Sequence, residues 1–397
     1  MLTLGAVELV FRVLGYRPVY DEYSSPDEFF RHDPDLGWSF APGSDGEYVG
    51  PRPFPVEYRT DVRINSLGLR GPEVAPVPPG GLRVLVLGDS WTAGLEVPED
   101  RTYSSLLAEG LSDRLGLPVQ VLNAGVRGYG TDQALLSYRE RLRTLDPDVV
   151  LFHTTGNDPD DNTVVHRMRR VFSKPAFVLG SDGDLRLVGQ PVHRYPQCSE
   201  YRVVDGEIHR VDGRRARTFC SLQTRLSDHS AFFSFVTERL QGNPDLVRRL
   251  YGLGSPSDAS PPDDQGTPST AASATVPSNG PTSAPTAGEA APRPPAGGAP
   301  GLDYAHRLTS ALILALGEDV QTDGARFVLI GRDADLAALD VTAFDRAGIE
   351  TVGIEGALTD PSRVLIPNDG HPNELGHERI AELLAGELEP RLQELVR

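Results

Sequence analysis

The run Arg83-Val84-Leu85-Val86-Leu87, closed by Gly88-Asp89-Ser90-Trp91-Thr92-Ala93-Gly94, narrows the fold more than any other stretch of the chain. Consecutive Val and Leu without alternation read as a strand buried on both faces of a parallel sheet. A serine on the turn after such a strand projects from the carboxyl edge of the sheet, where open α/β folds bind ligands. Gly88 permits a tight turn, and Asp89, Ser90 and Thr92 are residue types that start helices. A serine so placed has its Oγ free and its backbone N–H aimed at a bound carbonyl. That is half of an acyl-transfer site.

The same strand–helix alternation continues along the chain. After the strand at 83–87 the pattern predicts a helix over 102–114, a strand over 119–123, a helix over 132–145 and a strand over 148–153. Later come a helix near 304–316, strands at 326–330 and 350–354, and a last helix starting near Asn373. Repeated units of this kind imply a parallel sheet covered on both faces. Residues 1–82, rich in aromatics, Pro and Gly, read as extended segments or hairpins beside the active-site face. The stretch 174–212 reads as hairpins or a lid.

Three further islands join the serine: Asn123-Ala124-Gly125-Val126-Arg127-Gly128-Tyr129-Gly130, Thr155-Gly156-Asn157-Asp158, and Asp369-Gly370-His371-Pro372-Asn373. With all four in order, the chain resembles the SGNH (GDSL-type) hydrolases over about 83–168 and from 302 onward. The resemblance implies a three-layer, flavodoxin-like α/β sandwich with a central parallel sheet. It implies Ser90 as nucleophile and His371 as base, since a serine hydroxyl needs an adjacent group to take its proton. It also implies an oxyanion hole made by the Ser90 N–H, Gly128 and Asn157, with Gly125 the weaker glycine candidate. The family's orienting Asp stands three residues before the His, but Asn368 fills that position here. Asp369 stands two before; in an extended segment it faces the same side as His371, so it is the preferred partner over Asn368 or a Ser-His dyad. Thr155 stands where the family often carries glycine. His377, inside the last helix, reads as structural.

Around 254–301 the chain is dominated by Pro, Ser, Ala, Thr and Gly, a composition that cannot offset its ordering entropy and should be disordered. Ser90 precedes the tract and His371 follows it. The chain therefore divides into an N-terminal region (1–82), a first catalytic part (83–253), an inserted tract (254–301) and a second catalytic part (302–397).

The acidic run Asp158-Pro159-Asp160-Asp161 lacks the ligand alternation of a calcium loop and reads as solvated, so no metal is expected. The glycines match no nucleotide-binding pattern, so no cofactor is expected. Thr92 stands where the second glycine of a Gly-x-Ser-x-Gly elbow would fall, which excludes that fold's signature. A net charge of −18 argues against nucleic acid or an anionic membrane as partner. The two cysteines, Cys198 and Cys220, are equally a single bridge or two thiols. The N-terminal stretch 1–12 is a helix fragment without signal-peptide features; packing on the catalytic domain is favoured over the end of a membrane anchor, and the cytoplasm over export. The expected function is a serine esterase acting on a short acyl ester of a small molecule or glycan. The alternatives are an O-acyltransferase on a sugar or natural product and a silent carbohydrate-binding module.

Overall fold

The computed structural model describes residues 2–14, 29–50, 56–166, 173–192, 198–227, 229–233, 235–236 and 303–395. The tract expected to be disordered at 254–301 lies outside them. Five parallel strands form the central sheet: β1 (Leu82–Gly88), β2 (Val119–Asn123), β3 (Val149–His153), β4 (Arg326–Gly331) and β5 (Glu350–Gly353). Their spatial order is β5-β4-β3-β1-β2. That is the flavodoxin-like order, in which β1 and β3 lie side by side and the chain winds outward from them in opposite directions.

Alternation within the buried strands sorts their side chains between the two faces. Val84, Val86, Val149, Leu151, Val328 and Ile330 pack with helices α1 (Tyr103–Leu115) and α4 (Glu374–Leu392). Leu85, Leu87, Val150, Phe152, Phe327 and Leu329 face the other way, against α2 (Thr131–Glu140) and α3 (Tyr304–Thr322). Three layers result. Each such side chain contributes about 1.5–3 kcal/mol by leaving water, and truncating Phe152 to Ala would cost about 3–5 kcal/mol with its cavity.

One expected helix is shorter than its pattern. The segment anticipated at 132–145 leaves α geometry at Arg141 (φ −137°, ψ −52°) and ends in a separate 3₁₀ turn, Leu142–Leu145. The Arg141 guanidinium there pairs with buried Asp33 at 2.7 Å.

The N-terminal region forms hairpins, as its composition suggested. Phe30–Asp33 pairs with Gly37–Phe40, and Asp45–Gly50 pairs with Tyr58–Arg63. The stretch after Lys174 supplies two more, Ala176–Leu179 with Leu185–Val188 and Tyr201–Val204 with Glu207–Arg210. A disulfide joins Cys198 to Cys220, tying the start of this second hairpin to the helix Arg214–Ser227. The helix Leu2–Val13 packs through Phe11 against Phe232 and Phe235. Among the described residues no helix is long and apolar enough to cross a membrane.

Candidate active site

β1 and β3 end level with one another, Gly88 opposite His153, so the loops that follow leave the sheet side by side. Asp89 caps the helix Ser90–Ala93 by accepting from the Trp91 N–H at 2.9 Å. Only one turn forms, because Gly94 takes a left-handed conformation (φ +55°) that other residues adopt only with strain. A single turn carries little macrodipole; the local Ser90 N–H remains, with no acceptor among the described residues.

The carboxyl-terminal part of the chain brings the histidine. Ile366 to Gly370 form a turn closed by the Gly370 N–H on the Ile366 carbonyl at 2.8 Å, and Asn373 caps α4 on the Gly376 N–H at 3.0 Å. Between these anchors His371 Nε2 lies 2.7 Å from Ser90 Oγ, and His371 Nδ1 is hydrogen-bonded to Asp369 Oδ1. With Nδ1–H donated to the carboxylate, Nε2 is left to accept from the serine hydroxyl. Asn368, the alternative orienting residue, points elsewhere: its Nδ2 donates to Glu57 Oε1 at 2.7 Å.

Burial pulls the His371 imidazole down, but the Asp369 hydrogen bond and the Glu96 and Asp369 carboxylates outweigh it and hold it above the usual histidine range. Asp369 loses solvation, yet its bonds to His371 and Tyr58 keep it below the usual carboxylate range. Glu96, Asp369 and His371 also place ligand-type atoms within 4.8 Å of one another. Asp369 already occupies His371 Nδ1 and Arg127 already occupies Glu96 Oε1, so those donors are committed to each other.

Of the two candidate oxyanion glycines, Gly125 is packed too tightly to serve. A Cβ there would lie 2.5 Å from the Ala93 nitrogen, and its N–H donates to Asn123 Oδ1. The Gly128 N–H has no acceptor among the described residues. Asn157 is exposed and held at both ends of its amide. The Thr155 hydroxyl lies 2.9 Å from Asn157 Oδ1, and Nδ2 donates to Asp161 Oδ2 at 2.8 Å, while the same amide also bonds toward the Asp89 carboxylate. The same Thr155 hydroxyl lies 2.9 Å from Asp89 Oδ2, linking the β1 and β3 loops.

The acidic run is not the solvated loop its composition suggested. It forms the short helix Asp158–Thr163, with Asp158 and Asp161 buried. Asp158 Oδ2 accepts from the Thr154 hydroxyl, while burial and the nearby Asp89 charge push its carboxyl up to about 8. His377 is buried as expected, accepting from the Tyr103 N–H through Nδ1.

Sequence reasoning missed the residues around this set. Glu96 lies 3.8 Å from His371 Nδ1, and Arg127 donates to it at 2.6 Å. Tyr58 donates to Asp369 Oδ2 at 2.9 Å. None carries a local signal, since each is an isolated residue brought in by long-range pairing. Trp91, the neighbour of Ser90 in sequence, lines a cavity of about 180 Å³ with His153, Thr155, Gly156, Asn157, Arg332 and Asp335; Ser90 and His371 are not part of that lining.

A doubly wound α/β sheet with a Ser-His-Asp constellation at its switch point defines the class. Residues 86–197 match the model of the GDSL-like Lipase/Acylhydrolase family. The match ends before Asp369 and His371. An arylesterase of Vibrio mimicus is 36% identical over 76 residues, which are 19% of this chain and 38% of that protein. The chain thus spans well under two thirds of the curated relative it matches. Among solved structures it is similar to TesA (12% identity, TM-score 0.36, 78% of this chain and 98% of that one). It is also similar to the acetylxylan esterase Axe2 of Geobacillus stearothermophilus (10%, TM-score 0.35, 77% and 94%).

Proposed function

We propose that this chain is a serine esterase cleaving a carboxylic ester through an acyl-Ser90 intermediate. The observation that carries the reading is the Ser90 Oγ to His371 Nε2 contact at 2.7 Å, continued through Nδ1 to Asp369. Ser90 Oγ attacks the acyl carbon as its proton passes to His371 Nε2. Asp369 holds the ring's tautomer and balances the imidazolium. The Ser90 and Gly128 N–H groups and the Asn157 amide bind the oxyanion. His371 returns the proton to the leaving alcohol, the C–O bond breaks, and water then cleaves the acyl-enzyme by the same steps reversed.

The cavity lined by Trp91 and Arg332 supports an ester of a polar alcohol, such as an acetylated sugar. Its indole, guanidinium and carboxyl lining suits hydroxylated rings better than alkyl chains. The Cys198–Cys220 disulfide supports an oxidising compartment over the cytoplasm favoured from sequence.

Hydrolysis of p-nitrophenyl esters from C2 to C12, with Ser90→Ala alongside, tests the reading. It predicts turnover that is highest at C2–C4 and lost in the variant. Turnover that survives in Ser90→Ala, or none on any ester, would overturn it. Transfer of the acyl group to an added sugar in preference to water would make the enzyme an acyltransferase.

A further inference from the structure

We infer that Glu96 is a positioning residue for the base: a second buried carboxylate, facing the same nitrogen of His371 as Asp369, that balances the imidazolium formed during turnover. This rests on reading His371 as the base.

The geometry is specific. Glu96 Oε1 lies 3.8 Å from His371 Nδ1 and accepts from Arg127 Nη1 at 2.6 Å. Its other oxygen, Oε2, is buried and has no hydrogen-bond partner among the described residues. A buried carboxylate oxygen without a donor is costly, and the cost falls when a positive charge appears nearby. The backbone around Glu96 is fixed. The buried Arg70 guanidinium donates to the carbonyls of Ala93 and Gly94 before it and to that of Val97 after it, at 2.5 Å for Val97. The main chain from which Glu96 projects is therefore held in place, and the Arg127 contact holds its carboxylate.

A count of charge gives the consequence. Asp369 and Glu96 against Arg127 leave one net negative charge around neutral His371. When the Ser90 Oγ proton reaches Nε2, the imidazolium cancels it. Arg127 immediately precedes Gly128, so the ion pair also ties the base to the loop that presents this candidate oxyanion glycine. The remaining groups facing the ring are Asp89 from the β1 loop, His377 from α4, and the Tyr58 phenol behind Asp369, with the Tyr48 phenol against Arg127 and the Arg70 cation behind Glu96. None of them is altered in the variants below, so they drop out of the comparison.

The test is the titration of His371, followed by NMR in a Ser90→Ala background so that it needs no turnover. Glu96→Gln should lower its midpoint by about one pH unit, and Arg127→Met should raise it, since removing an anion or a cation a few ångströms away acts in opposite directions. Glu96→Asp, which keeps the charge, should stay close to the parent and serves if Glu96→Gln does not fold. With Ser90 intact, the acid limb of kcat/KM on p-nitrophenyl acetate should move the same way in each variant. Glu96→Gln should lower kcat with little change in KM. An unchanged midpoint in Glu96→Gln, or a fall in both Glu96→Gln and Arg127→Met, would reduce the pair to packing and overturn the inference. Absence of Ser90-dependent turnover would instead overturn the esterase reading and leave the titration to decide Glu96.

Discussion

Tyr58 and Asp369, 311 positions apart in sequence, meet at 2.9 Å, the phenol donating to the carboxylate oxygen that His371 does not use. The N-terminal hairpin is thereby part of the site rather than a cover over the sheet. Tyr48, on the paired strand, stacks on Tyr58 with ring centroids 5.7 Å apart. Tyr58→Phe keeps this stack and removes only the donor. A hydrogen bond to a charged group is worth about 1.5–3 kcal/mol, of which a part reaches the transition state through Asp369, so kcat/KM should fall by roughly 3–30-fold with KM little changed. Steady-state kinetics on p-nitrophenyl acetate check this.

Asp369 and Asn368 are adjacent but separable. Asp369→Asn replaces the acceptor-only carboxylate that fixes the His371 tautomer with an amide that can also donate, and should cost about 10²–10⁴ in kcat. Asn368→Ala loses contacts to Glu57 and should leave kcat within about twofold. Equal losses in the two variants would return Asn368 to the orienting role.

Asp369 was legible from sequence, but not for the reason that pointed to it. An extended strand would put residues two apart on one face. The chain instead turns at Ile366–Gly370, with Gly370 left-handed (φ +83°), and the turn folds Asp369 back onto the His371 ring. The strands were legible because unbroken Val/Leu runs such as Val84–Leu87 and Val149–Phe152 admit few alternatives. Asp158 and Asp161 were misread because polarity alone hides a carboxylate paired with Thr154 or Asn157. Glu96, Arg127, Tyr58 and Arg70 were invisible: single residues in loops have no period, and only the folded chain shows what they meet.

Activity and stability should respond to acid for different reasons. The base works when neutral, so kcat/KM should rise with pH through the His371 midpoint, which lies above the ordinary histidine value. Stability there feels opposing groups: His153 and His377, which burial drives down from 6.5 to about 4 and about 3, lose stability in acid, while Asp158, pushed up to about 8, gains it. Above 6.5 the two histidines are neutral whether folded or unfolded and contribute nothing. Below it the unfolded chain takes up protons there that the folded one refuses, so the histidine contribution drains away between 6.5 and about 4. The histidine part of this is isolated by His377→Asn, in which Tm, followed by calorimetry, should lose less or gain more than the parent as pH falls from 6.5 to 4. A Tm that changes equally in parent and His377→Asn over the window would contradict the assignment.

The cavity lined by Trp91 and Arg332 predicts a split between substrates. Trp91→Ala and Arg332→Ala should raise KM for an acetylated sugar by about tenfold, while KM for p-nitrophenyl acetate, which reaches less of the cavity, changes by less than about threefold. Equal effects on both would remove the cavity from substrate recognition.

The central claim is that Ser90 is a nucleophile activated by His371. Its most direct measurement is the intact mass of the protein after brief exposure to a fluorophosphonate, with the modified peptide sequenced. The account predicts one adduct per chain, on Ser90, forming at least about 10²-fold more slowly in His371→Ala. No adduct on folded protein, or an adduct whose rate ignores His371, would contradict it.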